Sequence, residues 1–334
     1  MKPEETNPFD AAQVWLERGR KVALGTVINT WGSAPRRPGS TIAVRDDGAF
    51  EGSVSGGCVE AAVIEAAHAA MLDGKHRRLE FGVQDQQAWS VGLVCGGHIE
   101  ILVEPIAGEK AKDCLLRLNQ ARRLDRAIVR AVDLATGEAL LIDPGRDAGA
   151  LGEAAAAAVS HDRSASVEAD GKAWFLTVFN PAIDLAIVGA VHIAQPLVRM
   201  AALLGFRARV IDPRGSFATN ERFPGVTLSH DYPDDAFARA PLHRRSAVVA
   251  LSHDPKIDDP ALTAALASPA FYIGALGSRK TQAARIERLK SRGFGEEQLT
   301  RIHGPVGLAI GATSPEEIAL SIIAEIVQVT RTAG

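Results

Sequence analysis

The sequence has little cysteine: three residues in 334, at positions 58, 95 and 114. An odd count at wide spacings argues against a disulfide framework and leaves each thiol to packing or to chemistry. Aromatic residues make up only 5%, and no apolar run reaches the roughly 18 residues that a membrane span needs. The opening MKPEETNPFD carries acidic residues where a signal peptide needs an apolar core, so the expectation is a cytoplasmic protein with no membrane partner. A dominant charge is missing too. The 37 basic and 40 acidic residues leave a formal net charge of -3, and the basic clusters at 35–39, 75–78 and 278–280 are short and far apart. That argues against a nucleic-acid partner, which needs a concentrated basic face.

What is present is an ordinary globular composition, 46% apolar and 23% charged, in a chain long enough for two cores. Residues 10–19 have the spacing of an amphipathic helix ending at Gly19, and VALGTVINT reads as a strand. A hairpin is expected at Asp46-Asp47-Gly48, then a helix over 58–72 stopped by Gly74. Strands at 76–82 and 98–106, a helix from Lys110 to Arg122, an alanine-rich helix at 153–159, and hairpins near 134–140 and 168–174 complete an α+β region. Past FNPA the rhythm changes to short apolar strands alternating with helical patterns, the sequence form of a parallel, doubly wound sheet. The expected division is therefore an α+β domain over 1–180 and a Rossmann-like α/β domain over 181–334.

In the second domain, Gly189 opens a turn between strand and helix, Ala194 stands at the third glycine position, and Asp212 follows at the end of the next strand, where a ribose-binding acid is expected. Val191 occupies the middle glycine position, where the pyrophosphate of NAD(P) would approach the backbone, which weighs against tight dinucleotide binding. Ser278, Arg279 and Lys280 fall at the start of a helix, where exposed N–H groups and two cations suit a phosphate. Ser252, His253 and Asp254 close a further strand and are read equally well as a turn or as part of a site. In the first domain the loop TWGSAPRRPGS offers Ser33, Arg36 and Arg37 to an oxyanion. Gly56 and Gly57 lead into the helix beginning near Cys58, whose thiol should be activated by the helix N-terminus. Cys95 enters the similar CGGHIE turn, whereas Cys114 lies on a helix face and is assigned to packing. A zinc site from Cys58, Cys95 and His98 lacks the usual paired spacing and a fourth ligand.

As a set, GSAPRRPGS, GSVSGGCVE, CGGHIEILVEP, GAVHIAQPL, VIDPRGSFATNERFPG, GALGSRKTQAARIERL and IHGPVGLAIGATSPEEIALSIIAEI resemble the XdhC family, accessory proteins of molybdenum hydroxylases. The family's Gly-Ala-Gly-His turn is here Gly189, Ala190, Val191 and His192. The resemblance implies a chaperone, not a turnover enzyme, that binds the molybdenum cofactor (molybdopterin), protects it while a cysteine desulfurase adds the sulfido ligand, and delivers it to the large subunit of a xanthine or aldehyde dehydrogenase. It implies that Cys58, with Cys95, contacts molybdenum or its sulfur, soft ligands for a soft centre. It is also compatible with a homodimer. The rival reading is an NAD(P)-dependent oxidoreductase whose first domain holds the substrate.

Overall fold

The computed structural model describes residues 7–32, 36–57, 59–82 and 97–332. The chain divides into two compact units, Met1–Pro181 and Ala182–Gly334. The first is α+β and the second is a Rossmann-like α/β unit.

The first unit opens with α1 (Pro8–Glu17). It starts two residues before the expected position because the Asn7 side chain caps the Phe9 amide at 3.0 Å and Pro8 has no N–H to leave unsatisfied. Then follow β1 (Val22–Trp31), β2 (Thr41–Arg45), β3 (Phe50–Gly52), α2 (Glu60–Asp73), β4 (Arg77–Phe81) and β5 (His98–Pro105). These strands form an antiparallel sheet in the order β3-β2-β1-β5-β4. After α3 (Gly108–Arg123) come β6 (Ile128–Asp133), β7 (Ala139–Ile142), α4 (Ala150–Ser160), β8 (Ala165–Ala169) and β9 (Lys172–Phe179), with the strands ordered β7-β6-β9-β8.

Alternation along β5 sorts its side chains by face. Ile99, Ile101 and Val103 pack under Val63, Ala67 and Ala70 of α2. Gly25 of β1 makes room for that helix, since a Cβ there would lie 2.8 Å from Val63 Cγ1. On the other face Leu102 joins Val132 and Phe175 of the second sheet. Beside them Arg130 donates two hydrogen bonds, of 2.7 and 2.9 Å, to Glu104, both side chains being buried. The planar fork gives each carboxylate oxygen a charge-assisted partner, which is what lets this ion pair stay out of water.

The second unit runs β10 (Asp184–Val188), α5 (Ala194–Leu203), β11 (Arg207–Ile211), β12 (Thr227–Ser229), α6 (Pro233–Arg239), β13 (Ser246–Ala250), α7 (Pro255–Leu266), β14 (Tyr272–Ala275), α8 (Arg279–Ser291), α9 (Glu296–Leu299), β15 (Ile302–His303) and α10 (Pro315–Thr332). All pairings are parallel and the order is β12-β11-β10-β13-β14-β15, the six-stranded Rossmann order. One apolar core lies under α5 and α10 and another under α6, α7 and α8, so the sheet is covered on both faces. That explains why β13 is buried at every residue and reads in sequence as a continuous run.

Candidate functional site

Register alone brings the first unit's candidate loops together. In the antiparallel sheet Trp31 lies opposite His98, Ile42 opposite Gly52, and Ile99 opposite Phe81. The C-terminal ends of β1, β3 and β4 and the N-terminal ends of β2 and β5 therefore share one edge. The connections that leave it are the ones bearing Ser33 and Arg36, Gly56, Gly57 and Cys58, and Cys95. Ser33, Cys58 and Cys95 themselves lie outside the described residues. Arg36 is exposed, and with Ser40, Thr41, Gly52 and Ser53 it lines a surface cavity of about 540 Å³.

The loop before α2 is built around Glu60, a residue not among those singled out from sequence. Glu60 accepts hydrogen bonds from the amides of Val54, Ser55, Gly56 and Gly57 at 3.3, 3.0, 3.1 and 2.9 Å. The hydroxyls of Ser53 and Ser55 add two more, at 2.9 and 2.5 Å. Gly56 and Gly57 have φ of 86° and 123°, values that favour glycine and let successive amides converge on one carboxylate. Burial works against ionisation of Glu60, but the Ser55 hydroxyl and the surrounding N–H groups prevail and hold its pKa at about 2. A permanent negative charge thus sits at the end of α2 expected to activate Cys58, and it offsets the helix's positive field there. Cys114, by contrast, is buried on α3, and burial pushes its thiol pKa up.

In the second unit parallel strands put all their carboxyl ends at one edge. Gly189 turns the chain there with φ 103°, and a Cβ on it would lie 2.7 Å from the Ser252 amide nitrogen at the end of β13. The half-buried Val191 packs against the core beneath α5, and His192 is exposed in the turn. Asp212 is fully buried at the end of β11. One of its carboxylate oxygens accepts from the Ala190 amide at 2.8 Å and Arg214 Nη2 at 2.7 Å. The other accepts from the Arg214 amide at 3.0 Å and its Nε at 2.9 Å. Those four bonds fill the acceptor capacity of a carboxylate. Burial opposes its ionisation, and the Arg214 fork with the Ala190 amide keeps its pKa below the usual carboxylate range. Arg214 in turn stacks on Phe217, 4.1 Å from the ring centre.

At the next strand end Ser252 donates to the buried Asp258 at 2.6 Å, and His253 is held at φ 62°, unusual for a residue with a side chain. Beyond β14, Ser278 caps α8 by accepting the Thr281 amide at 3.1 Å. Arg279 and Lys280 are exposed in its first turn, and neither has an ion-pair or hydrogen-bond partner among the described residues. Glu60 and Arg214 were readable in principle, Glu60 as an acid closing a Ser- and Gly-rich run and Arg214 as a cation two residues after Asp212. Among the described residues no group of three or more His, Cys, Asp or Glu side chains could hold a metal ion, and no helix is long and apolar enough to cross a membrane.

Residues 15–82 match the model of the XdhC and CoxI family, and residues 185–326 match that of the XdhC Rossmann domain. Over 94% of its length the chain is 29% identical to a molybdenum cofactor insertion chaperone, PaoD, of Escherichia coli, covering 85% of that protein. It is 27% identical to a probable xanthine dehydrogenase subunit of Bacillus subtilis over 94% of each chain. A solved xanthine dehydrogenase structure from Bacillus halodurans shares the fold with a TM-score of 0.73 at 23% identity, covering 98% of this chain and 97% of that one. With both of its halves matched by models of one family in the order that the two units have here, the chain belongs to the XdhC family.

Proposed function

We propose that the protein binds the molybdenum cofactor, shields it while its sulfido ligand is installed by a cysteine desulfurase, and passes it to the large subunit of a molybdenum hydroxylase. The observation that carries this reading is the single edge of the first sheet from which the Arg36, Gly56–Gly57 and Cys95 connections depart. A cysteine sulfur that gives up its proton on binding is a soft ligand for molybdenum or its sulfur, and the Arg36 guanidinium suits the phosphate of the pterin tail. In the second unit Ser278, Arg279 and Lys280 offer a further anion site at a helix N-terminus. The similarity to an insertion chaperone over 94% of the chain supports the same role. A nicotinamide-dependent oxidoreductase has less support, because Asp212 already accepts four hydrogen bonds and the Ala190 amide is spent on it.

The test is a strain lacking this protein. The client hydroxylase should accumulate with little molybdenum cofactor or without its sulfido ligand, and a fully loaded, fully sulfurated client would overturn the proposal. In complementation, Cys58→Ala should restore much less loading than Cys114→Ala, because the Cys114 thiol is buried in packing. Equal restoration would remove Cys58 from the role.

A further inference from the structure

The residues assigned above to cargo binding account for a metal centre and a phosphate, but none is suited to a flat ring. Trp31 has the required chemistry. It ends β1 at the edge where the candidate loops leave, and 49% of it is exposed. Its position is braced. The His98 ring, directly opposite on β5, meets the indole edge to face with centroids 4.8 Å apart and planes at 79°. His98 is itself seated by Gly82, where a Cβ would lie 2.4 Å from Nδ1, so only a glycine leaves the imidazole this place. One contact of this kind covers at most one face of the indole, which leaves a rigid, amphipathic ring surface open at the rim. On the neighbouring strand Glu80 is 67% exposed, with Oε2 3.9 Å from His98 Nε2. It is an acceptor of the kind that the amino and ring N–H edge of a pterin needs.

We infer that Trp31, held by His98, is the platform on which the pterin ring of the cargo stacks. This rests on the cofactor-binding reading and adds the residue that recognises the ring, as distinct from the metal and the phosphate. Stacking of a base-sized ring on an aromatic side chain is strong enough for its loss to be measured directly.

The experiment compares the wild-type protein with Trp31→Phe and Trp31→Leu, both checked for an unchanged thermal transition. Each is titrated with isolated molybdenum cofactor and with free pterin. Trp31→Leu should bind both at least about tenfold more weakly, and Trp31→Phe, which keeps a flat ring, within about threefold of wild type. Pterin should quench tryptophan emission in the wild type, and that quench should be clearly smaller in Trp31→Phe, which keeps the other three tryptophans, although binding remains. If the wild type binds and Trp31→Leu binds equally well, or the quench is undiminished in Trp31→Phe, the platform is wrong while the cofactor reading stands. If the wild type binds neither ligand, the cofactor reading falls and the platform with it.

Discussion

Glu60 and Asp212 do the same job in two unrelated units: each is an internal anion that gathers backbone N–H groups and fixes the turn next to a candidate site. For Glu60 the energetics can be written down. Its pKa is lowered from 4.5 to about 2, so ionisation stabilises the fold above about pH 4.5, and that contribution is lost as the pH falls toward 2. After allowance for solvent screening the depression corresponds to about 2 kcal/mol. Glu60→Gln should therefore cost about that much at pH 7 in denaturant unfolding, with the gap from wild type closing as the pH drops toward 2. A gap of equal size at pH 7 and pH 2.5 would mean that the charge is not what organises the loop. Gly189 makes a sharper demand, because φ of 103° and a Cβ only 2.7 Å from the Ser252 amide nitrogen cannot be relieved by a rotamer change. Gly189→Ala should cost at least about 2 kcal/mol, measured the same way, and a neutral substitution would contradict the close approach. The Glu60 role was readable only in outline, as an acid closing a Ser- and Gly-rich run. Asp212 was legible by position as a strand-end acid, but not that Arg214 and the Ala190 amide would saturate it, since hydrogen-bond partners are set by a turn geometry that residue order does not give.

Among the elements, α8 makes the most specific promise. Arg279 and Lys280 stand in its first turn, where cations oppose the helix dipole. Replacing both by alanine should raise the stability of the ligand-free protein by roughly 0.3–1 kcal/mol and reduce the rise in Tm that inorganic phosphate gives the wild type. If phosphate protects the double variant as well as the wild type, the pair is solvent decoration. The helices and strands themselves were the most legible layer, because apolar periodicity reports them directly. The expected helix over Lys110–Arg122 appears as α3 (Gly108–Arg123), and the hairpins near 134–140 and 168–174 appear as β6-β7 and β8-β9. Ends were less legible. α2 starts at Glu60, two residues past Cys58, because residues 54–57 turn their amides onto the Glu60 carboxylate before the helix begins.

Across the whole chain, the motifs that resemble the family sort into those that build and those that present. IHGPVGLAIGATSPEEIALSIIAEI is largely architecture. Gly307 donates its amide to Glu325 at 2.8 Å, Tyr272 donates its hydroxyl to the same carboxylate at 2.5 Å, and Ser314 with Glu317 forms a reciprocal cap at the start of α10. GSRK instead lies at a sheet edge, where the exposed Arg279 and Lys280 side chains can meet a ligand. Domain class was legible because a switch from hairpins to alternating strand and helix is a pattern of the whole sequence. The sharing of one edge by three separated loops of the first unit was not, since it follows from strand order and register. The cofactor reading depends on that edge, and it is tested most directly by incubating the purified chain with isolated molybdenum cofactor and passing the mixture through gel filtration. One cofactor per chain, identified by mass and molybdenum content and largely lost in Cys58→Ala, is the expected result. A chain that elutes free of cofactor, or that instead binds a nicotinamide dinucleotide and transfers hydride, would contradict the account.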